Sequence, residues 1–179
     1  MQIQSDALVT YPVEKVFPVV RDQLVELVPF LPAVDSIQLQ ERTELGAGKL
    51  RLVNLWQGKT QAAPAAVRPF VTKGLVRWKD IAEWDEGSRT TRWHFETFHF
   101  EKLFECAGEN RFVSTPEGHT RIEIRGNLEI FTERIPGVPG FLGRRLKPKI
   151  EKFIVELVTP NLRDLGRGVQ RFLDQGSGK

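Results

Sequence analysis

Few side chains in this sequence are of a type and spacing to do chemistry, and their arrangement excludes more reactions than it supports. Of the three histidines, His94 and His99 lie five positions apart on one predicted strand. Successive strand residues face opposite ways, so these two point to different sides and cannot make a compact metal pair. His119 follows the turn-forming Pro116-Glu-Gly118 and is expected at the surface. No HExxH, GxSxG, GxxxxGK or GxGxxG occurs, which removes the sequence support for zinc proteolysis, acyl-enzyme hydrolysis and nucleotide chemistry. The single cysteine, Cys106, cannot close an internal disulfide, and no neighbouring base activates it; a buried, inert thiol is expected. Four polar residues remain that strand parity places on inward faces: Asn54, Asp80, Thr97 and His99. Asp80 and His99 are the two of these that could carry a proton in an acid/base step. Neither a metal nor any other cofactor is expected.

The elements that must position these groups read mostly as strands. Leu50, Leu52, Asn54 and Trp56 share one face of a strand over residues 49–58; Val76, Trp78, Asp80, Ala82 and Trp84 share one face of the next; Trp93, Phe95, Thr97 and His99 follow, and Ile122, Ile124, Leu128 and Ile130 line the last. The opposite faces carry Arg77, Lys79, Glu83, Arg92, His94, Glu96, Arg121, Glu123, Arg125 and Glu129, as solvent faces do. A first strand is predicted over 2–10 and further strands over 36–44, 75–84, 90–100, 103–115 and 119–131, with turns at 45–48, 85–88 and 116–118. A helix is predicted over 13–28, and the Ala- and Pro-containing residues 61–70 read as a short helix or crossing loop.

From about Pro148 to Leu173 the pattern changes to one long amphipathic helix, with Phe153, Ile154, Leu157, Leu165, Val169 and Phe172 recurring at three- and four-residue steps and a bend expected at Pro160. A helix with so broad an apolar face needs an equally large apolar partner, which only the sheet supplies. The expected architecture is therefore α+β, a curved antiparallel sheet of six to seven strands wrapped around a long C-terminal helix, with short helices after the first strand. One domain over residues 1–174 and a disordered tail over 175–179 follow from the absence of linkers or repeats.

Composition sets the remaining bounds. The chain has 179 residues, 27% of them charged and 40% hydrophobic, with no membrane-length apolar run and no secretory signal at its start; a cytoplasmic location is expected. Residues 134–171 hold nine Lys or Arg against three acids. That excess fits contact with an anionic membrane surface or an acidic partner, and equally an ordinary solvated helix face. Basic residues are not interleaved with exposed aromatics, so nucleic acid is not an expected partner.

The order of elements, together with the opening ALVTYPVEKVFPVVRD and the closing KPKIEKFIVELVTPNLRDLGRGVQRFL, resembles the START-like or SRPBCC superfamily, the helix-grip fold. The resemblance implies a deep apolar cavity between sheet and terminal helix that carries or senses a hydrophobic ligand such as a lipid, quinone or polyketide. A cyclase/aromatase-like enzyme using the same cavity is the alternative. The residues placed at the ligand are then Asn54, Trp56, Trp78, Asp80, Trp84, Trp93, Phe95, Thr97, His99, Ile124, Leu128, Phe153 and Leu157. In sequence, a tryptophan packed in a core and one lining a cavity look alike, and both readings stay open for each.

Overall fold

Alternation of apolar and polar residues becomes seven antiparallel strands in one curved sheet. The computed structural model describes residues 1–59, 76–97, 104–131 and 164–176, with Pro148 and Lys152 in addition. Its strands are β1 (Gln2–Val9), β2 (Val34–Gly46), β3 (Lys49–Gly58), β4 (Arg77–Asp85), β5 (Thr90–Thr97), β6 (Phe104–Ser114) and β7 (Thr120–Ile130), in the spatial order β1-β7-β6-β5-β4-β3-β2. β7 shows the pattern most cleanly: Ile122, Ile124, Leu128 and Ile130 are buried, while Arg121, Arg125 and Glu129 between them are exposed. The β2–β3 hairpin turns through Ala47 and Gly48, both with positive φ (50° and 72°), the backbone twist that a two-residue loop needs to match its strands.

β1 and β2 are consecutive in the chain and sit at opposite edges of the sheet, so the connection must traverse it. It does so through helix α1 (Val13–Asp22) and a 3-10 turn at Val28–Phe30. α1 buries Val13, Val16, Phe17, Val19 and Val20, and Phe17 packs edge-on against Trp84 of β4 (5.3 Å between ring centroids) and Phe112 of β6 (5.1 Å). The helix is shorter than the apolar spacing of residues 13–28 suggests. Gln23 leaves helical geometry, and Leu24 and Leu27 are buried from turns instead, because burial needs only that the side chain reach the core. Residues 61–70 lie outside the described residues.

A second helix, α2 (residues 164–176), lies against the β1 end of the sheet. Leu165 and Val169 are buried, and Gly166 meets the Ala7 side chain so closely that no Cβ could be accommodated there. Gln170 accepts from the Thr10 backbone N–H (2.7 Å), Tyr11 donates its hydroxyl to Asp174 (2.9 Å), and Phe172 meets Phe30 edge-on. Gln175 and Gly176, expected in a tail, are its last turn. Of the long terminal helix expected over 148–173, the part before 164 lies outside the described residues, apart from Pro148 and Lys152. No helix among the described residues is long and apolar enough to cross a membrane.

Candidate functional site

Cross-strand register arranges the inward residues of β3 to β7 in rows. One row runs Trp56, Trp78, Thr97; the next Asn54, Asp80, Phe95, Cys106, Leu128; the third Leu52, Ala82, Trp93, Gly108, Gly126; the fourth Leu50, Trp84, Thr91, Asn110, Ile124. The third row sets two glycines beside its tryptophan for a reason. The Trp93 indole extends over the two glycines: a Cβ at Gly108 would lie 2.5 Å from its ring, and one at Gly126 would lie 3.1 Å from it. The Trp93 Nε1–H donates to Asn110 Oδ1 at 2.8 Å, which fixes the ring from the neighbouring row.

The aromatic side chains then touch both across strands and, within β5, along one strand. Trp56 and Trp78 stack at 5.8 Å, Trp78 and Phe95 meet at 6.0 Å, and Phe95 stacks on Trp93 at 5.0 Å. Val20 and Leu24 from the α1 region and Leu165 from α2 face this aromatic wall without filling the concavity. They leave a cavity lined also by Asp80, Ala82, Trp84, Thr91 and Asn110. Its interior holds about 60 Å³ open to the centre of a water molecule, several times what one water needs, and about 580 Å³ of empty space when the part reaching solvent is counted.

Electrostatically the wall is unusual. Asp80 is half-buried with one carboxyl oxygen, Oδ1, shut off from solvent, and burial pushes its pKa up to about 7. The Trp56 indole N–H opposes this by drawing the value back down, although the contact falls short of hydrogen-bond geometry. Near neutral pH the group is thus poised between acid and carboxylate. Cys106, two strands further along the same row, is 3% exposed, and burial first and the Asp80 charge second push its thiol up to about 12. It is neither nucleophile nor ligand there. Trp56 Nε1, Trp78 Nε1, Trp84 Nε1, Asp80 Oδ1 and Thr91 Oγ1 are buried and have no hydrogen-bond partner among the described residues. No group of three His, Cys, Asp or Glu among the described residues could hold a metal ion. His94 is exposed on the outer face, 3.7 Å from Glu96.

Of the residues expected at a ligand, Trp56, Trp78, Asp80, Trp84, Trp93 and Phe95 come together around the cavity. Asn54, Ile124 and Leu128 face the same side but are buried in packing away from it, and half-buried Thr97 ends β5 outside the lining. His99, Phe153 and Leu157 lie outside the described residues. Thr91 and Asn110 line the cavity without having been expected there. Both share parity with inward neighbours, Thr91 with Trp93 and Asn110 with Cys106 and Phe112, so the signal was present.

No protein-family model matches the sequence, and no curated protein is detectably similar to it. Solved structures are similar in shape. TTHA0849 from Thermus thermophilus is 22% identical with a TM-score of 0.64, over 94% of this chain and 97% of that one. The Zhui aromatase/cyclase from Streptomyces sp. R1128 is 12% identical with a TM-score of 0.66, over 97% of this chain and 95% of that one. The di-domain ARO/CYC StfQ from the steffimycin biosynthetic pathway is 14% identical with a TM-score of 0.57; 99% of this chain matches 52% of that one. With the strand order, the crossing helix and α2 seated on the sheet, these similarities establish the architecture: the chain has the START-like, helix-grip fold.

Proposed function

We propose that this protein binds a small hydrophobic molecule in the cavity between the sheet and its helices, and carries or senses it. The observation that supports this reading is the cavity itself, walled by four tryptophans and Phe95. Pockets for small molecules combine such apolar walls with a few polar groups. Each 100 Å² of apolar ligand surface removed from water contributes about 2.5 kcal/mol, so even a two- or three-ring molecule gains usefully there. An anionic bilayer is one route of delivery, toward which the basic residues between 134 and 171 would be drawn. The test is native mass spectrometry of the protein purified from its own cells, followed by organic extraction. A small apolar molecule released on denaturation is the expected result. A protein that arrives empty and binds neither ring compounds nor fatty acids would overturn the reading.

One observation favours a second reading, that of a cyclase/aromatase-like enzyme. Asp80 stands in the cavity wall with a pKa of about 7 and can both give and take a proton near neutral pH. On this reading Asp80→Asn abolishes turnover of a poly-keto substrate while leaving its binding intact; unchanged turnover would remove Asp80 from the chemistry.

A further inference from the structure

Two strands, β1 and β2, have no neighbouring strand on their outer side among the described residues, and only one of them is defended. A regular, uncharged edge invites pairing with another strand, and proteins blunt such edges with bulges and charge. β2 has both: its register against β3 shifts at three places, and Glu41, Arg42 and Glu44 stand exposed along it. β1 has neither. Its register against β7 runs unbroken from Gln2 to Val9, and its single charge, Asp6, is already balanced by Arg125 at 2.6 Å.

The β1–β7 ladder fixes which groups β1 turns outward. Met1 and Leu128 exchange both backbone hydrogen bonds at 2.8 Å. By the alternation of an antiparallel pair, Ile3, Ser5, Ala7 and Val9 are then bonded to β7, whereas Gln2, Gln4, Asp6 and Leu8 aim their backbone N–H and C=O away from the sheet. The next in that series, Thr10, gives its N–H to Gln170 of α2 at 2.7 Å. The four before it have no such partner among the described residues, all four are exposed, and Leu8 is 57% exposed. A hollow bounded by residues 4–8, Asp164 and Arg167 leaves this edge open to approach.

We infer that β1 pairs with β1 of a second copy of this chain, antiparallel about a two-fold axis at Ser5, joining two seven-stranded sheets into one. Self-complementarity selects both the occupant and the register. Centred on Ser5, Gln2 faces Leu8 and Gln4 faces Asp6 of the second copy, so all four outward positions find partners and each Asp6 carboxylate meets a side-chain amide that donates to it. Centring on Asp6 would set two carboxylates against each other, and centring on Gln4 would leave Leu8 unpaired. The charges flanking the edge cancel, Asp6 with Arg125 and Asp164 with Arg167 (3.6 Å), so a like surface meets no net repulsion there.

Sedimentation of the full chain tests this. A reversible dimer is expected between micromolar and millimolar concentration; a chain that stays monomeric throughout would overturn the inference and leave the cavity reading untouched. Gln4→Pro removes an outward N–H that β7 does not use, from both copies at once, and should weaken the dimer about tenfold while the urea midpoint is kept. A dimer of unchanged strength in the folded variant would overturn the inference. Ser5→Cys tests the register separately. Residues facing each other at a non-hydrogen-bonded pair lie about 4.5 Å apart between Cα atoms, within disulfide reach, and the native Cys106 is buried and un-ionised. Mild oxidation should therefore link Ser5→Cys chains, and Leu8→Cys chains far less, since the two copies of Leu8 would stand about 20 Å apart along the strands. Equal linkage at both positions, or none at position 5, would overturn the pairing.

Discussion

Along β7 the inward residues Ile122, Ile124, Leu128 and Ile130 are aliphatic and at most 8% exposed. Along β4, three positions away in the same sheet, the inward residues Trp78, Asp80, Ala82 and Trp84 include a half-buried acid and two indole N–H groups without partners among the described residues. Both strands obey the same alternation and the same antiparallel register, so backbone geometry does not distinguish them. What differs is the filling. The β7 side is packed as a core is packed, with aliphatic side chains that have no polar group to satisfy. The β4 side is lined with large flat rings that cannot interdigitate as tightly, and it includes polar atoms that cost stability. Features of this kind are kept where they serve binding, and on the function proposed above the guest would sit in that half of the concave surface.

The sharpest way to probe the contrast is Asp80. An unfolded chain ionises this residue near 3.8, whereas the folded protein holds the proton to about 7. The native state therefore binds more protons across that window, and the stability contributed by this group falls as pH rises from about 4 to 7. Asp80→Asn is expected to flatten that slope and to raise stability at pH 8 by at most about 4 kcal/mol, measured by urea unfolding across pH. An unchanged slope would place the charge in an environment less hostile than the cavity wall described above. On the filled side the sign reverses. Leu128→Ala should cost about 3 kcal/mol, because it opens a void in close packing, and a loss under about 1 kcal/mol would mean that the β7 side is as loosely filled as the β4 side. The outer face sets the baseline. Arg125 and Asp6 pair there at 2.6 Å with about half of each side chain exposed, and Arg125→Ala should leave the urea midpoint unchanged within its error, since solvent screens such a pair.

Much of this was legible in the residues, for identifiable reasons. The two-residue alternation through Trp78, Asp80, Ala82 and Trp84 settled the face of each side chain, and the rows bear that parity out. Parity reports the face and not the depth of filling. Ile124 and Leu128 share the concave side with the tryptophans, yet they sit where neighbouring elements close the space, so nothing in their own spacing separates lining from packing. The glycines were harder still. Gly108 and Gly126 pair across β6 and β7 beneath the Trp93 ring, a match between positions far apart in the chain that only register reveals. The early end of α1 was hidden for a similar reason: Leu24 and Leu27 keep helical spacing while being buried from turns.

The central claim, that the tryptophan-lined hollow admits a guest, is tested most directly by the four indole N–H resonances of ¹⁵N-tryptophan-labelled protein titrated with 9-fluorenone. Trp93, whose N–H is already bonded to Asn110, serves as the internal reference. The account predicts that the Trp56, Trp78 and Trp84 signals shift to saturation while that of Trp93 moves least. Four signals that stay in place at saturating probe, or a shift confined to Trp93, would contradict it.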